Sequence, residues 1–247
     1  MRQVRTLGLS RFRQDGVSFA FMLMFFCTGW CHSVEAKVTK FDPPGSTETL
    51  PTGINASKWI TGFYLDNAGD THSFLRTQDG TITTIDVQGA TCGTEANSIN
   101  RSGMIVGVEF DSNCAFHGFI RAPDGTITTF DVPGAIDTVA NSVNNGGLIT
   151  GFYLDSSHHG HGFLRTTDGT FTSFDPKGAT DTFAASINKV GAISGTYQTS
   201  LNDSHGFVRA TDGTITEFDV PNATSTYANS INDSGEIAGA KASGACS

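Results

Sequence analysis

Three observations predict an all-β protein, a five-bladed β-propeller made of four-stranded repeats. A Phe-Asp or Ile-Asp pair recurs at residues 41–42, 85–86, 130–131, 174–175 and 218–219, in steps of 44, 45, 44 and 44 residues. His-Gly-Phe or His-Ser-Phe recurs at His72, His117, His161 and His205, and an Ile/Val-Asn pair ends at Asn55, Asn100, Asn144, Asn188 and Asn232. Each period holds β-branched and aromatic runs separated by Asn, Asp and Gly, with no stretch of helical periodicity. A self-similarity this regular fixes the architecture before any single motif is considered, and four short strands per period is the size of a propeller blade.

The elements follow in chain order. Arg2, Arg5, Arg11 and Arg13 precede an apolar run from Val17 to Trp30, and Val34-Glu35-Ala36 supplies small residues at a cleavage position. Residues 1–36 are therefore expected to be a secretory signal peptide, with the propeller in 37–247. The apolar run falls short of the roughly 20 residues that span a bilayer core, so no stable membrane insertion is expected after processing. The fourth unit is representative. Thr182–Ile187 reads as its first strand, Lys189-Val190-Gly191 as a turn, Ala192–Tyr197 as the second strand and His205–Arg209 as the third. Thr211-Asp212-Gly213 then turns into a fourth, Thr214–Asp219. The recurring Asp-Gly fits a hairpin turn that needs positive φ.

Small residues in the first strand (Ala184, Ser186, Ala228, Ser230) place it innermost, where blades crowd the axis. Pro133-Gly134-Ala135-Ile136-Asp137 and its copies would cross from the outer strand of one blade to the inner strand of the next. Blades are expected at 50–86, 94–131, 138–175 and 182–219, with residues 226–241 giving two strands of an incomplete fifth. Val38–Asp42 reads as a stray fourth strand that would help close the ring. An incomplete blade leaves unpaired backbone, so a homodimer through it, or local fraying, is expected.

The repeat resembles the bacterial extracellular HAF repeat, named for its His-Ala-Phe core. The shared pattern is Ile-Asn-x-x-Gly-x-Ile-x-Gly, then His-Gly-Phe-Leu-Arg, then Asp-Gly-Thr. Gly or Ser stands where the name has Ala, and Ser73 replaces Gly in the first unit. The resemblance implies export from bacteria and a β-rich repeat; it brings no reaction, ligand or functional residue.

The formal net charge is −9, and removing residues 1–36 leaves 11 basic and 22 acidic residues. Phosphate backbones repel such a surface, which excludes nucleic acid as the expected partner. Three cysteines would remain, and a Cys92–Cys114 disulfide is expected, with Cys246 free. A hydrolytic triad can be drawn from the recurring His, Asp, Ser and Arg, but catalysis needs one asymmetric constellation, and these recur in every unit. The repeated His are therefore expected to bond a loop carbonyl or an Asp of a neighbouring unit. Arg76, Arg121, Arg165 and Arg209 are expected to pair with Asp. The non-repeated feature is Asp155 with His158, His159 and His161, residue types that bind divalent zinc or copper, and it is the one metal candidate. No cofactor is otherwise expected. The expected function is a secreted, non-enzymatic binding or scaffold module for a glycan or cell-surface polymer. The alternative is an exported hydrolase with its site at the channel mouth.

Overall fold

The computed structural model describes residues 38–200 and 203–243. The expected signal peptide and Cys246 lie outside them, and among the described residues no helix is long and apolar enough to cross a membrane. From Phe41 onward the described residues form one compact unit.

Four antiparallel sheets of four strands follow one another. The first is β1 (Ser46–Ile54), β2 (Ile60–Asp66), β3 (Thr71–Arg76) and β4 (Ile82–Ile85). The second is β5 (Gly93–Ile99), β6 (Ile105–Phe110), β7 (Phe116–Arg121) and β8 (Ile127–Phe130). The third is β9 (Asp137–Val143), β10 (Ile149–Leu154), β11 (Gly160–Arg165) and β12 (Phe171–Phe174). The fourth is β13 (Asp181–Ile187), β14 (Ile193–Ser200), β15 (Asp203–Arg209) and β16 (Ile215–Phe218). A final hairpin, β17 (Ser225–Ile231) and β18 (Ile237–Ala242), packs on the fourth sheet through β17, with one parallel bridge, Ser204 to Ser225, and a bond from the Ala228 N–H to the Thr196 hydroxyl at 3.2 Å.

The turns form as their residues dictate. Between β5 and β6 the Asn100 Oδ1 accepts from the N–H groups of Ser102 and Met104 at 3.1 and 3.0 Å, and Gly103 takes φ +88°. The same Asn closes the blades together: its Nδ2 donates to the Asn144 carbonyl at 3.1 Å. Asn55, Asn144 and Asn188 repeat that bond to the next unit. These bonds run from blade to blade along the inner strands, so β1, β5, β9, β13 and β17 line the axis as their small residues require. Between blades, the Val132 N–H donates to the Thr138 hydroxyl at 3.1 Å and the Val220 N–H to that of Thr226 at 2.9 Å, which fixes the crossing chain.

Each blade centres its core on one Phe. Phe74, Phe119, Phe163 and Phe207 are 0% exposed and lie opposite Gly62, Gly107, Gly151 and Gly195 of the second strand. Packing continues between blades: the Phe130 ring lies 6.3 Å from that of Phe163, and Phe174 lies 6.0 Å from Phe207, both edge to face.

Two expectations are corrected. Val38–Asp42 forms no strand; instead Phe41 packs 5.8 Å from Phe74, as the fourth-strand Phe of one blade packs on the next. The arginines make no ion pair with Asp among the described residues. Arg76, Arg165 and Arg209 stack over Phe41, Phe130 and Phe174, each 5.0 Å from the ring centroid. A guanidinium sandwiched between blades loses water, and an aromatic face accepts it where a second ion would be stranded.

Candidate functional site

The register of the outer hairpins builds one constellation four times. Each His of a third strand sits 14 residues before an Asp that closes the fourth, and antiparallel pairing brings the two together. Nδ1 of His72, His117, His161 and His205 lies 2.8–2.9 Å from Asp86, Asp131, Asp175 and Asp219. On the other side, Nε2 faces a second carboxylate: Asp66 at 3.7 Å, Asp111 at 3.8 Å and Asp155 at 3.5 Å, each six residues before its His, and in the fourth unit Asp203, two residues before His205, at 3.2 Å. The partner Asp belongs to the same unit, not to a neighbouring one as the sequence suggested. Offset spacing within the period, constant at 14 residues, is the signal that could have found it.

Both carboxylates favour the imidazolium. At His72 and His205 the hydrogen bond to the fourth-strand Asp is the largest influence and raises the pKa above the ordinary value. At His117 and His161 burial is the largest influence and acts downward, but the bonds and charges of the flanking carboxylates outweigh it and the net direction is again upward. Backbone N–H groups at Asp70, Ala115 and His159 hold Asp66, Asp111 and Asp155 below the usual carboxylate range. Each cluster thus presents two carboxylates around one imidazole whose protonated form they favour.

Tyrosine supports the ring in three blades: Tyr64, Tyr153 and Tyr197 lie 5.1–5.3 Å from His72, His161 and His205. Burial, with a hydrogen bond to Glu217, pushes Tyr197 up to about 12. The second blade departs from this. Glu109 takes the Tyr position, is 8% exposed, and burial raises its carboxyl while His117 pulls it back. Its Oε2 has no hydrogen-bond partner. Nothing in the repeat pattern singled out this substitution except the missing Tyr at the 45-residue step from Tyr64.

The first cluster opens onto a cleft between blades. A cavity of about 240 Å³ beside His72 and Asp86 is bounded on its far side by Ala90, Thr91, Gly93 and Thr94 of the next unit. A second cavity, about 440 Å³, lies at the axial mouth above Ile99, Val143, Ile187 and Ile231. Its rim breaks the repeat, with Ala56, Arg101, Asn145, Lys189 and Asp233 at the position after the invariant Asn. The Asn side chains there are occupied by turn and inter-blade bonds, and Lys189 lies 3.8 Å from Asp233. No nucleophile and base pair faces this cavity among the described residues.

Of the four expected metal ligands, the structure brings only Asp155 and His161 together. His161 is held between Asp175 and Asp155, while His158 and His159 point from an exposed turn whose N–H groups Asp155 binds. Among the described residues no three His, Cys, Asp or Glu side chains converge as a metal requires. Cys92 and Cys114 are exposed, unbonded thiols that lie side by side; hydrogen bonding to Cys92 raises the Cys114 thiol. Cys114 occupies a left-handed position, φ +59°, where the first blade has Gly69.

No protein-family model matches the chain, and no curated protein is significantly similar to it in sequence. Solved structures are similar in fold. A catalytically inactive virginiamycin B lyase from Staphylococcus aureus with quinupristin is 16% identical over 78% of this chain and 70% of its own, with a TM-score of 0.50. The selenomethionine-substituted lyase from the same organism is 16% identical over 77% and 69%, with a TM-score of 0.48. The Aleuria aurantia lectin with α-methyl-L-fucoside is 12% identical over 80% and 64%, with a TM-score of 0.33. The fold is β-propeller-like, built of four-stranded antiparallel sheets.

Proposed function

We propose that this chain is an exported, non-enzymatic propeller of five repeats, a HAF-repeat protein whose clefts between blades bind a hydroxyl-rich polymer such as a cell-surface glycan. The observation that carries the reading is the fourfold Asp–His–Asp cluster at equivalent rim positions. Sugar hydroxyls both donate and accept hydrogen bonds. A pair of carboxylates flanking an imidazole offers acceptors and a donor within one cleft, and few such convergent polar groups are enough to orient a ligand. Four weak copies spaced around a ring suit a repeating polymer, because occupation of one cleft raises the effective concentration at the next. The basic n-region and apolar run of residues 1–36 support export.

The test is a glycan array on the chain lacking residues 1–36, followed by binding to immobilised polymer. Replacing Asp86, Asp131, Asp175 and Asp219 with Asn should abolish polymer binding, and a single replacement should reduce avidity by about tenfold or more. Retained binding by the fourfold variant, with loss on replacing Arg101 and Lys189 with Ala, would move the site to the axial mouth and sink the cleft reading.

A further inference from the structure

Among the described residues nothing fills the sockets that the half-blade β17–β18 shares with a complete blade. Its register copies the others: Ala228 pairs with Gly239 as Ala184 pairs with Gly195. In the complete blades that second-strand Gly faces the fully buried Phe of the third strand. A Cβ built on Gly195 would clash with the Phe183 carbonyl oxygen and stand 2.7 Å from the Phe207 ring, and one on Gly239 would clash with the Tyr227 carbonyl oxygen, so the inner strand itself requires the Gly, and its bare face leaves room for a ring opposite it. Gly239 keeps the Gly and is exposed, together with Ala238 and Ala240. Among the described residues β18 has only β17 as a neighbour, so one full edge of backbone donors and acceptors is open.

A second socket lies beside it. Phe174 of the third blade receives the ring of Phe207 and the guanidinium of Arg209. Phe218, its equivalent one unit later, has no such partners among the described residues and lines an apolar groove of about 250 Å³ with Val220, Tyr227, Ile237 and Gly239. A third feature sets the charge. Lys241 stands where three blades have the Tyr opposite His.

We infer that β18 is a strand-acceptor site whose occupant is an extended, antiparallel polypeptide segment of the pattern acidic-Gly-Phe-aliphatic-Arg. The register of the fourth blade assigns each position. The Phe lies opposite Gly239 and fills the groove, the Gly lies opposite Ala240, and the Arg lies opposite Ile237 and reaches Phe218. The acidic residue lies opposite Lys241, where a His would set two cations face to face and a carboxylate pairs instead. Backbone pairing along the edge supplies affinity and the Phe pocket supplies selectivity, as in other cases of strand addition. This site is separate from the clefts and does not depend on their ligand.

The probe is a synthetic peptide of residues 159–175, which holds β11 and β12, added to the chain lacking residues 1–36. Binding is followed by fluorescence anisotropy and hydrogen exchange. Exchange across 237–242 should slow at least tenfold on saturation while 149–154 is unchanged. The Phe163→Ala peptide should bind at least tenfold more weakly, and the His161→Asp peptide a few-fold more tightly. Equal binding of the Ala peptide, or protection outside β17–β18, would overturn the assignment. Protection of 237–242 that rises with protein concentration in the absence of peptide would overturn it in favour of a second copy as occupant. Altering only the peptide keeps the fold of the protein out of the measurement.

Discussion

The hairpins β9–β10 and β17–β18 have the same design and opposite environments. Both place an inner Ala opposite a Gly, both carry a bulge in the inner strand, and both end at an Asn turn that binds its own backbone. Yet Gly151 is buried and Gly239 exposed, and Ile149 is 1% exposed while Ile237 is half-buried. Tyr227, at the position of the buried Val139, is 38% exposed. The difference is the third strand with its Phe, and the next blade beyond it. Turn chemistry and cross-strand pairing are local and suffice to form a hairpin, whereas burial needs elements from the rest of the period. A blade of this kind is two local hairpins joined by a backbone ladder and a buried aromatic ring.

Removing that ring should make a complete blade resemble the half-blade. Phe163→Ala empties a site with no exposure and should destabilise the protein by about 3–5 kcal/mol, read by denaturant melts. Exchange across 149–154 should then approach that of 237–242. If those residues keep their protection in a folded variant, the ring does not organise the blade. A covalent device would act in the reverse direction. Cys92 lies on the chain entering the second blade, and its N–H donates to the Phe110 carbonyl at 3.2 Å. Cys114 closes the turn that follows Phe110. Oxidation by a disulfide such as oxidised glutathione should join the two thiols, releasing two thiols from the oxidant, and stabilise the chain by about 3 kcal/mol in the chain-entropy model. Non-reducing peptide mapping checks the pairing, and a bridge made by Cys246 instead would refute it.

The period, the blade limits, the inner position of the first strand and the turn residues were all legible, because each depends on local pattern. The partners of His and Arg were not. His72 bonds Asp86 of its own unit because register, not repeat membership, decides who faces whom. Arg165 lies over Phe130 of the preceding blade, a neighbour that exists only once blades pack. Residues 38–42 carry a strand-like composition but lie where only the Phe41 ring has a socket, so the side chain is anchored without the ladder.

A smaller contrast between blades explains the Ser in the first His-Ser-Phe. Gly118, Gly162 and Gly206 lie opposite Phe130, Phe174 and Phe218, and a Cβ on any of them would come within 2.6–2.7 Å of the ring. In the first blade Ser73 lies opposite Ile85, a smaller residue, and the Ser hydroxyl donates to the Thr94 carbonyl at 2.9 Å. Size is conserved as a pair. Gly162→Ser alone should therefore cost about 1–3 kcal/mol through overpacking. Adding Phe174→Ile should recover part of that loss, and the coupling in a double-mutant cycle measures the pair. Strictly additive losses would show that the Gly is required for some other reason.

The smallest expected effect separates the complete blades from the half-blade by charge, since β18 carries Lys241 and neither hairpin strand carries a His. The four His are held above their ordinary pKa, so their protonation binds more protons to the folded chain than to the unfolded one. The stability they contribute is fully present below about pH 6.5 and is lost as pH rises through the raised values. Asp66, Asp111 and Asp155 run the other way: held low by backbone N–H groups, they contribute above their ordinary value near 3.8 and lose that contribution as pH falls through the lowered ones. Stability should therefore peak between about pH 4 and 6.5 and decline on the alkaline side. The clusters are partly open to solvent, which screens them, so the decline should amount to a few degrees in Tm between pH 5.5 and 8.5 and shrink in high salt. Replacing all four His with Gln should flatten it. A wild-type Tm that rises over the same interval would mean that the imidazoles are neutral, and that the flanking carboxylates serve some purpose other than holding a charge.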